Sequence, residues 1–271
     1  MLRALRRAGI VPDVVCGTSV GAIVAAACAA GEAERLDAWV RKLDWRAVMG
    51  FMDWTVGGGL IQGSKLVEYF RARYEDRGIE NLPCKFGCVA TELATGREVW
   101  LTQGPVIDAV RASIAMPGLL TPVVREGQLL VDGGLVNPVP VSLCRALGAE
   151  IVIAVDLNWD LIGRRTRVAE RADAGDAAQQ GSLIDTLFGP FRERVVDAGR
   201  APSLKDVMLT SLNIMQVRIT QSRLAGEPAE ILIRPRLGGI VAMDFHRGAI
   251  AAAEGERATD EALPMLHALM E

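Results

Sequence analysis

Ile10-Val11-Pro12-Asp13-Val14-Val15-Cys16-Gly17-Thr18-Ser19-Val20-Gly21, followed by the alanine-rich run Ala22 to Ala30 and by Gly31, reads as one strand, turn and helix unit. Ile10 to Cys16 is an extended apolar run, and Ala22 to Ala30 consists of strong helix formers up to a glycine stop. Between them the spacing G-x-S-x-G sets a serine at the tip of a sharp turn, its hydroxyl projecting where a helix begins. Gly17 and Gly21 flank it, where a Cβ would crowd the turn. The free N–H groups of the helix start, notably that of Val20, can stabilise an oxyanion there. Alone, five such residues would suit any tight turn; the strand before them and the helix after give the pattern its meaning.

A serine nucleophile needs a base. The chain has two histidines, His246 and His267, both in a C-terminal region of helical pattern where packing or surface roles suffice. Asp132 is the better candidate. It follows the apolar strand Leu129-Leu130-Val131 and precedes Gly133-Gly134, so a carboxylate stands at a strand end beside backbone that a partner can approach closely. Burial there would raise its pKa and make it a better base than a solvated carboxylate.

Away from these two points the chain alternates helical and extended patterns. Leu2 to Ala8 predicts a short helix closed by Gly9, and Glu32 to Gly78 is mainly helical around a loop from Thr55 to Gly63. Strands are expected over Lys85 to Thr91, Arg97 to Thr102, Thr121 to Arg125 and Gln128 to Val131, with a helix opened by Pro105. Pro140 to Leu147 predicts a helix, and Glu150 to Asp156 a strand buried on both faces of a parallel sheet. Ser203 to Leu224 has Leu204, Met208, Leu212, Met215 and Ile219 at helical spacing. That stripe, with Leu183, Ile184, Leu187 and Phe188, would form core or line an acyl-chain groove. Glu230 to Pro235 is a last strand, and the terminal helix is expected to break near Pro264. The pattern is that of a layered α/β fold with a mainly parallel central sheet. We read residues 1–271 as a single domain: a core over 1–156, a polar variable loop or lid over 157–202, and C-terminal helices and a strand over 203–271.

Composition bounds the function classes. With 271 residues, 50% hydrophobic and 23% charged, the chain can bury one large core, and a formal net charge of −3 gives no broad basic face for nucleic acid. Five cysteines form an odd set that fits reduced thiols, and the Cys84/Cys88 spacing with no further Cys/His cluster implies no metal site. Val14 to Gly31 lacks charge, but glycines and hydroxyls interrupt it, so it reads as buried strand and helix rather than a membrane span or leader. A cytoplasmic protein is the expectation.

Gly17-Thr18-Ser19-Val20-Gly21 together with Val131-Asp132-Gly133-Gly134 resembles the Ser/Asp pair of patatin-like phospholipases, in the bacterial branch related to the esterase domain of neuropathy target esterase. Ala90-Thr91-Glu92-Leu93-Ala94-Thr95-Gly96, Ala112-Ser113-Ile114-Ala115-Met116-Pro117-Gly118 and Leu135-Val136-Asn137-Pro138-Val139-Pro140 extend the resemblance, which is strong from Gly9 to about Val155. It implies a three-layer α/β/α fold, Ser19 as nucleophile, Asp132 as general base, and oxyanion or turn support from Gly17, Val20, Gly21, Gly133 and Gly134. It further implies fatty-acyl esters such as phospholipids or lysophospholipids as substrates, peripheral contact with a membrane, and no cofactor. The family also carries an apolar strand and a G-G-G-x-[RK]-G loop ahead of the first helix. The sequence here starts at that helix, so the expectation is a fold lacking its first strand and oxyanion loop; Gly57-Gly58-Gly59 reads as ordinary loop. Two other readings follow: a catalytically impaired lipid-binding or regulatory protein, and an α/β-hydrolase using Ser19, Asp132 and His246, whose chain order that triad satisfies.

Overall fold

The computed structural model describes residues 1–43, 62–160, 204–238, 240 and 247–270. Gly57-Gly58-Gly59, the Leu183 to Phe188 cluster, most of the expected 157–202 loop and His246 lie outside the described residues.

The chain opens with helix α1 (Leu2–Arg7), strand β1 (Val14–Thr18) and helix α2 (Val20–Ala29). Gly9 follows α1 at φ 76° and Gly31 follows α2 at φ 78°, the left-handed backbone that ends a helix and that glycine adopts at no steric cost. Helices α3 (Ala33–Val40) and α4 (Ser64–Arg71) come next. The hairpin β2 (Lys85–Glu92) and β3 (Glu98–Leu101) turns through Gly96, again at positive φ. Helix α5 (Val106–Ser113), the second hairpin β4 (Val123–Arg125) and β5 (Gln128–Asp132), helix α6 (Val141–Ala146), β6 (Ile153–Val155), α7 (Leu204–Gly226), β7 (Ile231–Ile233) and α8 (Gly248–Met270) complete the order.

Strand β2 organises the main sheet. It pairs parallel with β1 and antiparallel with both β3 and β5, and β5 pairs antiparallel with β4. The sheet is therefore mixed, not mainly parallel as the pattern suggested. The reason is local: both hairpins return after turns of a few residues, too short for the crossover that parallel pairing needs. Strands β6 and β7 do pair parallel, and among the described residues they form a two-stranded sheet apart from the first.

Helices cover both faces, giving the α/β layering. Phe86, Cys88 and Ala90 of β2 pack with Ala22, Ala25, Ala26 and Ala29 of α2 and with Ala109 and Ala112 of α5. The alternate residue Gly87 looks the other way, where a Cβ would lie 3.1 Å from Leu143 of α6. This alternation is the period-2 pleat of a strand buried on both sides. A second cluster joins α1, β7 and α8 through Leu5, Ile231, Ile233, Ala258 and Leu266. Ala258 and Leu266 flank Pro264, and α8 runs through that proline instead of breaking. Packing on both sides holds the turn that the missing N–H would weaken.

Helix α7 forms where the periodicity placed it, but it presents a different face. Met208 and Met215 are exposed, while Gln216, Val217 and Thr220 are buried. The helix rests on the turn Gly133–Leu135, and this contact, not the methionine stripe, sets its rotation.

Candidate active site

Strand β2 acts as the ruler for the site. Thr18 pairs with Val89 and Asp132 with the next residue, Ala90, on the edge of β2 opposite β3, so the C-terminal ends of β1 and β5 meet end to end and bring Ser19 and Asp132 together. Ser19 Oγ donates a 2.6 Å hydrogen bond to Asp132 Oδ2. The other carboxylate oxygen, Oδ1, accepts from the Gly134 N–H at 2.7 Å. The Asp132 backbone is fixed as well: its N–H donates to the Ala115 carbonyl, and its carbonyl accepts from Thr91 Oγ1.

Ser19 sits at φ 56° and ψ −126°, a conformation that non-glycine residues seldom adopt. Holding it there costs about 1–3 kcal/mol, which surrounding contacts must offset. The Ser19 N–H donates to Ser113 Oγ at 3.0 Å, and the Ser113 hydroxyl in turn donates to the Val89 carbonyl at 2.7 Å. Thr18 Oγ1 donates to the Asn137 carbonyl at 2.7 Å, and Asn137 Nδ2 donates to Glu98 Oε1, whose other oxygen meets Arg223 of α7.

The glycines differ in their necessity. A Cβ on Gly17 would lie 2.2 Å from the Gly21 carbonyl oxygen, and one on Gly133 would lie 2.2 Å from that of Val89. Those two positions require glycine for close backbone approach. Around Gly21 a Cβ would meet nothing within 4 Å, so the crowding expected at that position is absent. Gly134 leaves room for the Gln216 amide of α7, which a Cβ would meet at 2.5 Å.

Asp132 is 1% exposed, and burial raises its pKa from 3.8 to about 6, opposed by the Ser19 hydroxyl and the Gly134 N–H. A carboxylate so placed is still ionised at neutral pH and more basic than a solvated one. Beside it, the first turn of α2 leaves the Val20 and Gly21 N–H groups without intrahelical acceptors. Such an arrangement can take a proton from a serine hydroxyl and stabilise charge on an oxygen next to it.

Ser19, Asp132, Gly17, Val20, Gly21, Gly133 and Gly134 thus converge on one spot. His267 is exposed on α8. Ser113, Asn137 and Gln216 were not singled out from sequence as site residues, although Ser113 and Asn137 stand within family-like motifs.

Residues 1–145 match the family model described as patatin-like phospholipase. An uncharacterized NTE family protein of Mycobacterium bovis is 28% identical over 310 residues, covering 97% of this chain and 86% of the relative. A second such protein of that organism is 31% identical over 262 residues, covering 96% and 42%. The patatin-like phospholipase domain-containing protein 7 of Rattus norvegicus is 29% identical over 203 residues, covering 72% and 14%. Matched over more than half its length by that model and over nearly all of it by the mycobacterial relatives, the chain belongs to the patatin-like phospholipase family.

Proposed function

We propose that the chain is a serine acyl hydrolase in which Ser19 is the nucleophile and Asp132 the general base. Its substrates are fatty-acyl esters of phospholipids, lysophospholipids or related lipids. Family membership points to lipid acyl hydrolysis, and the observation that carries the reading is the 2.6 Å bond from Ser19 Oγ to Asp132 Oδ2. A direct contact of that length leaves no room for an imidazole between them, which favours a dyad over a triad through His246.

In this reading Ser19 Oγ attacks the ester carbonyl carbon while its proton passes to Asp132 Oδ2. The carbonyl electron pair moves to oxygen, where the Val20 and Gly21 N–H groups offer stabilisation. Collapse of the tetrahedral species breaks the bond to the alcohol, which leaves with the proton held by Asp132. Water then attacks the acyl-serine, again giving its proton to Asp132, and the acid departs as Ser19 regains its hydrogen. Val20 and Val24 are exposed on α2, so apolar surface borders the serine, as suits an enzyme meeting lipid at a membrane surface.

Hydrolysis of lysophosphatidylcholine and of short aryl esters tests this. Ser19→Ala and Asp132→Asn should each lose about 1,000-fold or more in turnover, while His246→Ala keeps it. Turnover surviving in Ser19→Ala contradicts the reading. A folded but inactive His246→Ala would favour the triad, and lipid binding with no turnover by any form would favour a binding protein.

A further inference from the structure

An apolar groove runs between α2 and α5, its first α2 residue one helical turn beyond Ser19. Ile23, one turn beyond Ser19, and Ile114, next to Ser113, line its near end; Ala27 and Val110 line the middle, and Ala30 and Val106 the far end. The C-terminal residue of α5, Ser113, holds the Ser19 N–H at the start of α2, so the helices run antiparallel and both walls give the same direction. Helix α4 closes one side with Leu66 and Phe70. The groove is partly open to solvent.

The far end has different chemistry. Glu32 and Tyr74 border it. Arg35 ties them together: its Nη1 lies 3.4 Å from Glu32 Oε2, its guanidinium stands 4.7 Å from the Tyr74 ring centroid, and its Nη2 donates to the Arg73 carbonyl at 2.7 Å. Alkyl groups entering there would strip water from polar groups without replacing its hydrogen bonds.

We propose that this groove holds the acyl chain of an ester bound at Ser19, and that its polar Glu32/Tyr74 end restricts the enzyme to chains of medium length. The inference rests on Ser19 being the nucleophile. From Ser19 to Ala30 the helix rises about 16 Å. An extended chain advances about 1.2 Å per bond, so about ten to thirteen carbons fill the groove. Longer chains bring their last methylenes against Glu32 and Tyr74.

The experiment is a kcat/KM profile for p-nitrophenyl esters from acetate to palmitate, with the full chain and two variants that alter length in opposite directions. In the wild type, kcat/KM should rise about two- to fourfold per methylene to an optimum near decanoate, then fall at least tenfold by palmitate. Ala27→Phe, which fills the middle, should move the optimum to shorter chains; Tyr74→Ala, which opens the end, should move it to longer ones, a shift that misfolding cannot produce. A profile flat or still rising at palmitate, or one unmoved by both variants, overturns the proposal while leaving Ser19-dependent hydrolysis, and hence the nucleophile, intact. If no ester is hydrolysed the nucleophile reading fails instead, and the groove is judged by calorimetry of free fatty acids with the Ser19→Ala protein. Tightest binding near decanoic acid, weakened by Ala27→Phe, supports it; no binding at any length overturns it.

Discussion

Asp132 bears a conflict between stability and chemistry. Its folded pKa of about 6 stands above the ordinary 3.8 because burial disfavours the charged form. The folded protein therefore holds that proton more tightly than the unfolded chain, so the stability this gives is complete below pH 3.8 and is lost as pH rises to about 6. Above that window the buried charge costs about 3 kcal/mol at most. Asp132→Asn keeps an acceptor for the Gly134 N–H and a group facing Ser19, but carries no charge. Urea denaturation should show the variant more stable than wild type at pH 7 by about 1–3 kcal/mol, the gap closing toward pH 4. Wild-type kcat/KM should climb through the same pH region as the base ionises. An equal stability at pH 7 with a flat pH profile would contradict this account of Asp132. Ser19 and Asp132 were legible in sequence because each stands inside a short pattern that a turn or strand end demands. Ser113 and Gln216 were not, since what gives them importance is contact across 94 residues from Ser19 in one case and across a helix and turn in the other.

At the scale of elements, the elbow and the Asp132 turn depend on two close backbone approaches that a methyl group would block. Gly17→Ala and Gly133→Ala should each cost about 2–4 kcal/mol in thermal or urea denaturation, because the clash is with backbone carbonyl oxygens, one in the first turn of α2 and one in β2, that cannot swing away as a side chain can. Gly21→Ala meets open space and extends a helix, so its stability should stay within about 1 kcal/mol of wild type. Equal losses at all three positions would refute this steric ranking. Strand and helix positions followed from periodicity with small shifts at the ends. Partnership did not: short hairpin turns made the sheet mixed, and α7 rotated its methionines outward to seat Gln216 and Val217. Hydrophobic spacing reports that a helix has a face, and a neighbour such as the Gly133–Leu135 turn decides which face is buried.

On the scale of the whole molecule, one buried strand carries the arrangement. Strand β2 sets Thr18 and Asp132 one residue apart along one edge, anchors Ser113 through the Val89 carbonyl, and forms the floor on which α2 and α5 pack. The layered α/β fold was legible because the strand, turn and helix unit admits few other settings; the division of the described strands into two sheets depends on pairing that no local pattern encodes. The same frame that strains Ser19 brings its hydroxyl to Asp132, the contact proposed to make Ser19 a nucleophile. Intact-protein and peptide mass spectrometry after a fluorophosphonate probe tests it most directly. A single adduct should form on the peptide containing Ser19, absent in Ser19→Ala and formed far more slowly in Asp132→Asn; no adduct on Ser19 in the folded wild-type protein, or equal labelling of Asp132→Asn, would refute the Ser19/Asp132 pairing as the source of reactivity.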